Sequence, residues 1–117
     1  MSSPTLILFN AATAAAEHSL PPAARLLAGH PLQTVRNVFS DPSGRFHAGT
    51  WTCEPGAWRI EYTEHEFCQL IEGRVRLTDD AGHSTELGPG DALVIPAGFR
   101  GVWETLTACR KVYAIFE

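Results

Sequence analysis

Eight consecutive residues, Glu61, Tyr62, Thr63, Glu64, His65, Glu66, Phe67 and Cys68, hold three carboxylates, a phenol, an imidazole and a thiol. That density suits two chemistries. Carboxylate and imidazole groups that converge on one point hold a divalent metal, and the candidates for that are Glu66, His65 and His47. A carboxylate that faces an apolar cavity must instead be paired or protonated, and it can then exchange a proton with a ligand. Glu66 is the candidate for this role, with Tyr62 near it. The plain alternative for the whole stretch is the polar rim of a β-sheet. Cys68 has no activating neighbour in sequence and reads first as a small core residue. His18, His30 and His83 fall in loops or in the N-terminal region and carry no site signal.

These groups must be placed by strands. Pro and Gly recur at roughly eight- to twelve-residue spacing between short β-branched and aromatic runs, without helical periodicity between them. The runs are QTVRNVF, HAGTWTC, AWRIEY, EFCQLIEG, RVRLTD, HSTELG, ALVIPA, GVWETLT and RKVYAIF. Many short strands so spaced predict an all-β sandwich or barrel. Gly73 reads as a tight turn between two strands, and Asp80 and Gly82 read as a hairpin turn. Gly88, Pro89 and Gly90 reverse the chain ahead of a buried strand, ALVI. Residues 1–30 are Ala-rich and form an arm that packs on, or exchanges with, the main domain of residues 31–117. Within the arm LILF is a candidate strand, and PAARLLAG a short helical turn ended by Gly29.

The chain has 117 residues, enough for one domain with a single core, and 44% of them are hydrophobic. A net charge of −4 and a pI near 5.7 leave no basic field for nucleic acid. No apolar run is long enough to cross a bilayer. The first residues have Ala-x-Ala spacings but no basic leader, so they are read as structure. Cys53, Cys68 and Cys109 lack zinc-site spacing and are expected as reduced thiols in a cytoplasmic protein.

With the strands placed, Pro55–Gly73 and Gly90–Trp103 resemble the two motifs of the cupin superfamily. Glu66 and Gly73 stand at the Glu and second Gly of the first motif, and Gly90, Pro96 and Gly98 match the second. The other metal-ligand positions of that family fall on Ile60 and Tyr62, or with a longer spacing on Arg59 and Glu61, and on Gly101. Only the carboxylate survives there, so no cofactor is expected, with an unusual divalent-metal site as the alternative. A narrower resemblance is to small single-domain cupins related to ethanolamine-utilisation cupins and ureidoglycine aminohydrolases. Trp51, Cys53, Pro55, Gly56, Glu66, Cys68, Pro96, Gly98, Trp103, Arg110, Lys111 and Tyr113 carry it, while His65 stands where that branch often has Asp.

The resemblance implies a single-domain jelly-roll barrel whose inward faces line a cavity. By strand alternation Tyr62, Glu66, Cys68 and Trp103 then share that cavity, and Gly101 leaves room beside Trp103. The last strand brings Lys111 to Glu66. A small-molecule pocket follows, with Glu66 as acid or base and Lys111 and Tyr62 holding an anionic or carbonyl group. Trp103, Cys68, Arg59 and Phe99 are its candidate walls. For the aromatics the alternative is barrel filling, for the Glu66–Lys111 pair a structural ion pair, and for Arg59 solvent or a partner subunit. A homodimer is expected, with LILF pairing across a two-fold axis. The function readings are a metal-independent enzyme on a small polar metabolite, a metal-dependent cupin, and a non-catalytic binding module.

Overall fold

The computed structural model describes residues 3–10 and 14–117. Among them there is no helix. The chain forms β1 (Glu17–Ser19), β2 (Leu26–Gly29), β3 (Gln33–Ser40), β4 (Phe46–Cys53), β5 (Gly56–Glu61), β6 (His65–Asp79), β7 (Ser84–Leu87), β8 (Ala92–Ile95) and β9 (Arg100–Phe116). All pairings are antiparallel, in the path β1-β3-β4-β9-β5-β2, while β6 pairs with β9 and also carries β7 and β8. The result is a curled half-barrel of the jelly-roll type.

β9 is its spine. Its first half lies between β5 and β6, and its second half between β4 and β6. Register partners share a face of a sheet, so the pairing names the rows of the concave side. Glu66, Ile115 and His47 make one row; Cys68, Tyr113 and Gly49 the next; then Leu70, Lys111 and Trp51. Further along, Leu77, Trp103 and Trp58 form another row. The buried core follows these rows: Trp51, Trp58, Cys68, Leu70, Val75, Leu77, Trp103 and Tyr113 belong to one cluster.

Several expectations change here. Gly73 is not a turn: EFCQLIEG and RVRLTD run on as the single strand β6, and GVWETLT and RKVYAIF run on as β9. Gly73 instead sits among three register shifts, at φ 84°, and a Cβ there would lie 2.7 Å from the Cys109 Cα. Only Gly takes that conformation at that approach. The bulge also moves the inward positions of β6 from Glu66, Cys68 and Leu70 to Val75 and Leu77. PAARLLAG makes one turn, where the Arg25 N–H donates to the Pro22 carbonyl at 2.8 Å, and then becomes β2 rather than a helix. ALVI is an edge strand with Val94 61% exposed, not a buried one. Leu6–Phe9 is in no strand, and all four of its side chains are exposed.

Gly101 does not leave room for a ligand. A Cβ on it would overlap the Thr78 carbonyl oxygen and meet the Asp79 Cα at 3.0 Å. The missing side chain lets β6 approach β9 closely. We expect Gly101→Ala to cost about 1–3 kcal/mol by overpacking, measured by urea unfolding. Destabilisation below about 0.5 kcal/mol would mean that the two strands do not meet there.

Candidate functional site

The Lys111 Nζ donates to the Glu66 Oε2 at 2.6 Å, and each residue is 5% exposed. Strand alternation puts both groups on the concave face, and the pairing of β9 with β6 sets them two rows apart on it, on either side of the Cys68–Tyr113 row. The ammonium also lies 4.4 Å from the Trp51 ring centroid and 4.6 Å from that of Trp103. Those two indoles meet edge to face, at 5.2 Å and 82°. Each is fixed by its own N–H, which donates to Gln33 Oε1 from Trp51 and to Thr105 Oγ1 from Trp103, both at 3.0 Å. A carboxylate and two π faces thus hold one cation. Lys111 is the only lysine of the chain.

Burial alone disfavours the Lys111 ammonium, but the adjacent Glu66 carboxylate outweighs it, and the pKa stands above the ordinary 10.5. The side chain therefore stays charged at neutral pH. The stabilisation this lends is complete below the ordinary value and is lost as pH rises through the raised one. Tyr62 stands on the other side of Glu66. Burial first, and then the Glu66 charge, push its phenol well above the usual range. Its backbone is clamped by the turn that follows β8: the Tyr62 N–H donates to the Phe99 carbonyl at 2.9 Å, and the Gly98 N–H to the Tyr62 carbonyl at 2.7 Å. Tyr113 reaches across Gly49 to donate to Asn37 Oδ1 at 2.8 Å.

A cavity of about 630 Å³ opens onto this cluster. Glu66, Lys111, Tyr62, Trp51, Trp58 and Trp103 line its inner part, with Arg59 at the rim. Two sequence candidates stand elsewhere. Cys68 is 1% exposed and lies in the core rather than on the cavity wall, where burial pushes its thiol up to about 12. Phe99 packs against the core and touches the site through its carbonyl on Tyr62. Arg59 is exposed, on the alternate face from Trp58 and Ile60. Trp51 was not foreseen as a site residue. Its position beside Lys111 follows from the β4–β9 register, which the sequence does not state.

The metal candidates do not converge. His65 alternates away from Glu66, and its Nδ1 accepts the Ala97 N–H at 3.0 Å. His47 shares the row of Glu66, but Ile115 stands between them. The His47 ring is held by Ser40 Oγ at 2.6 Å and the Gly44 carbonyl at 2.9 Å. Among the described residues no three His, Cys, Asp or Glu side chains gather as a ligand set. Ile60 and Gly101, two of the positions that the resemblance assigns to metal ligands, face each other and have no donor atoms in their side chains. As placed, Glu66, His65 and His47 do not form a three-ligand set.

Residues 40–113 match the EutQ-like cupin domain. The chain belongs to this cupin family. A solved protein of unknown function from Pseudomonas syringae pv. tomato, of the DUF861 family, is 27% identical with a TM-score of 0.81. The match covers 92% of this chain and 46% of that one, so the cupin spans about half the length of this relative. A DUF861 protein of Thermotoga maritima is 31% identical over 55% of this chain and 73% of its own, with a TM-score of 0.53. A putative ethanolamine utilization protein of Salmonella typhimurium shares the fold, at 14% identity and a TM-score of 0.65, over 89% of this chain and 97% of its own. No curated protein matches the chain.

Removing one partner of the buried pair strands the other. Glu66→Leu and Lys111→Met should each cost about 3–5 kcal/mol, and the double variant should recover a large part of the summed loss. Urea unfolding of all four proteins measures the coupling. Additive effects below about 0.5 kcal/mol each would mean that the two groups do not meet.

Proposed function

We propose that this cupin binds a small polar metabolite in the Glu66–Lys111 cavity and acts on it by proton transfer, without a bound transition metal. The observation that carries this reading is the 2.6 Å ion pair at the inner end of a 630 Å³ cavity. Lys111 is too firmly protonated to attack a carbonyl as a free amine, so its role is electrostatic. It faces the oxygen of a carbonyl, amide or carboxylate group and stabilises charge that develops there. Glu66 takes a proton from the neighbouring atom and returns it in the next step. Tyr62, kept as a neutral phenol, donates a hydrogen bond to the same group, and Trp103 walls the inner end. Perturbed groups gathered beside a cavity are what such chemistry requires.

A second reading has its own support. Among the described residues no buried side-chain nitrogen or oxygen lacks a partner. A site so fully satisfied also suits a module that binds its ligand and does not turn it over.

A thermal-shift screen of small metabolites supplies the ligand, since binding to the native state raises apparent stability. Glu66→Gln then separates the readings, because the amide keeps the shape and cannot exchange the proton. We expect turnover to fall by at least about 10²-fold with folding retained. Turnover that survives Glu66→Gln would remove the catalytic role. A wild-type protein that binds but turns over none of its ligands would favour the binding module.

A further inference from the structure

β1 and β2 stand at opposite ends of the six-strand path, yet only Leu20–Arg25 joins them. The seven Cα–Cα steps from Ser19 to Leu26 reach at most about 25 Å. The curl of the sheet must therefore bring its two ends together, and the connection forms a strap across the concave side. Ser19, Leu20, Pro21, Pro22 and Arg25 border the same cavity as Glu66 and Lys111. Two consecutive prolines fix φ in the strap and hold Leu20 and Pro21 extended, so it presents a stiff edge. Pro21 is buried, and Leu20 is 47% exposed. The strap is fastened at its far end by the Arg59 N–H, which donates to the Arg25 carbonyl at 2.9 Å.

Other parts of the cavity wall are apolar too: Val35, Trp58, Ile60 and Ile115. The cavity thus has a polar inner end and these apolar sides, with Arg25, Arg59, Glu61 and Glu64 also in its lining. The family match covers residues 40–113, which include Glu66 and Lys111 but none of the strap. The polar end belongs to the matched domain, and the strap lies outside it.

We infer that Leu20 and Pro21 select the ligand. Building on the proposed site, they take its hydrocarbon body while its one polar group meets Glu66 and Lys111. The ligand class is then compact carbonyl, amide or carboxylate compounds with a short-chain or cyclic hydrocarbon part. Fully polar compounds such as sugars leave those walls unmatched and are discriminated against.

The test uses paired probes with the same polar group: benzamide against acetamide, and cyclohexanecarboxylate against acetate. They are titrated into the full chain while the indole N–H resonances of Trp51, Trp58 and Trp103 are followed by NMR. In wild type the probes with a hydrocarbon body should bind more tightly than their short counterparts. Leu20→Ala and Pro21→Ser should weaken benzamide and cyclohexanecarboxylate about five- to tenfold, as expected for lost apolar contact, and leave acetamide and acetate unchanged. If Pro21→Ser does not fold, Leu20→Ala, at a half-exposed position, decides alone. Equal affinities in wild type and strap variants would overturn the inference while the site itself stands. If no probe moves the indole resonances of wild type, the proposed site falls, and the inference with it.

Discussion

The Lys111 ammonium is taken out of water and held by one carboxylate and two indole faces, and the concave side of the sheet is organised to satisfy it. Burying a charge is tolerable only when it is paired. Glu66 supplies the pair from β6, and Trp51 from β4 and Trp103 from β9 add cation–π contact. The indoles are fixed through Gln33 and Thr105, and the backbone of Tyr62 through the Pro96–Phe99 turn. At positions where the cupin resemblance expects metal ligands stand Ile60, Tyr62 and Gly101, and the Glu66 carboxylate meets the Lys111 ammonium.

Two close approaches make this placement possible. At Gly73 the bulge in β6 shifts its inward register, so that Glu66 at one end and Leu77 at the other both face inside. At Gly101 the absent side chain lets β6 meet β9 beside Trp103. A straight, unbulged β6 would turn either Glu66 or Leu77 outward, since a one-residue slip reverses every face. The buried ion pair and the hydrophobic core are thus set by the same backbone irregularity.

The strands, the cupin family and the meeting of Glu66 with Lys111 were legible in the sequence, because alternation fixes faces and the motif glycines fix the fold. Partners across strands were less legible. Alternation says which way Trp51 points but not that β4 lies against the Lys111 half of β9. Gly73 signals a departure from regular strand, and a bulge and a turn call for the same residue. ALVI is apolar at every position, a pattern shared by buried strands and by edge strands with one exposed face, and the structure makes it the latter. Cys68 and Phe99 lie outside the cavity lining, Cys68 in the core and Phe99 packed against it, because alternation gives the face of a strand and not the depth of a side chain on it. The strap could not be read at all as part of the site, because its role depends on the two ends of the sheet curling together, which no local pattern encodes.

Because the chain has a single lysine, lysine-selective ¹⁵N labelling reports on the central interaction without assignment. The spectrum should contain one side-chain ammonium signal, slow to exchange at neutral pH and still protonated when pH passes the ordinary lysine value of 10.5. Glu66→Gln should lower its titration point, since the carboxylate that outweighs burial is gone. An ammonium that exchanges like an exposed amine, titrates at or below 10.5, and ignores Glu66→Gln would contradict the buried pair on which the site rests.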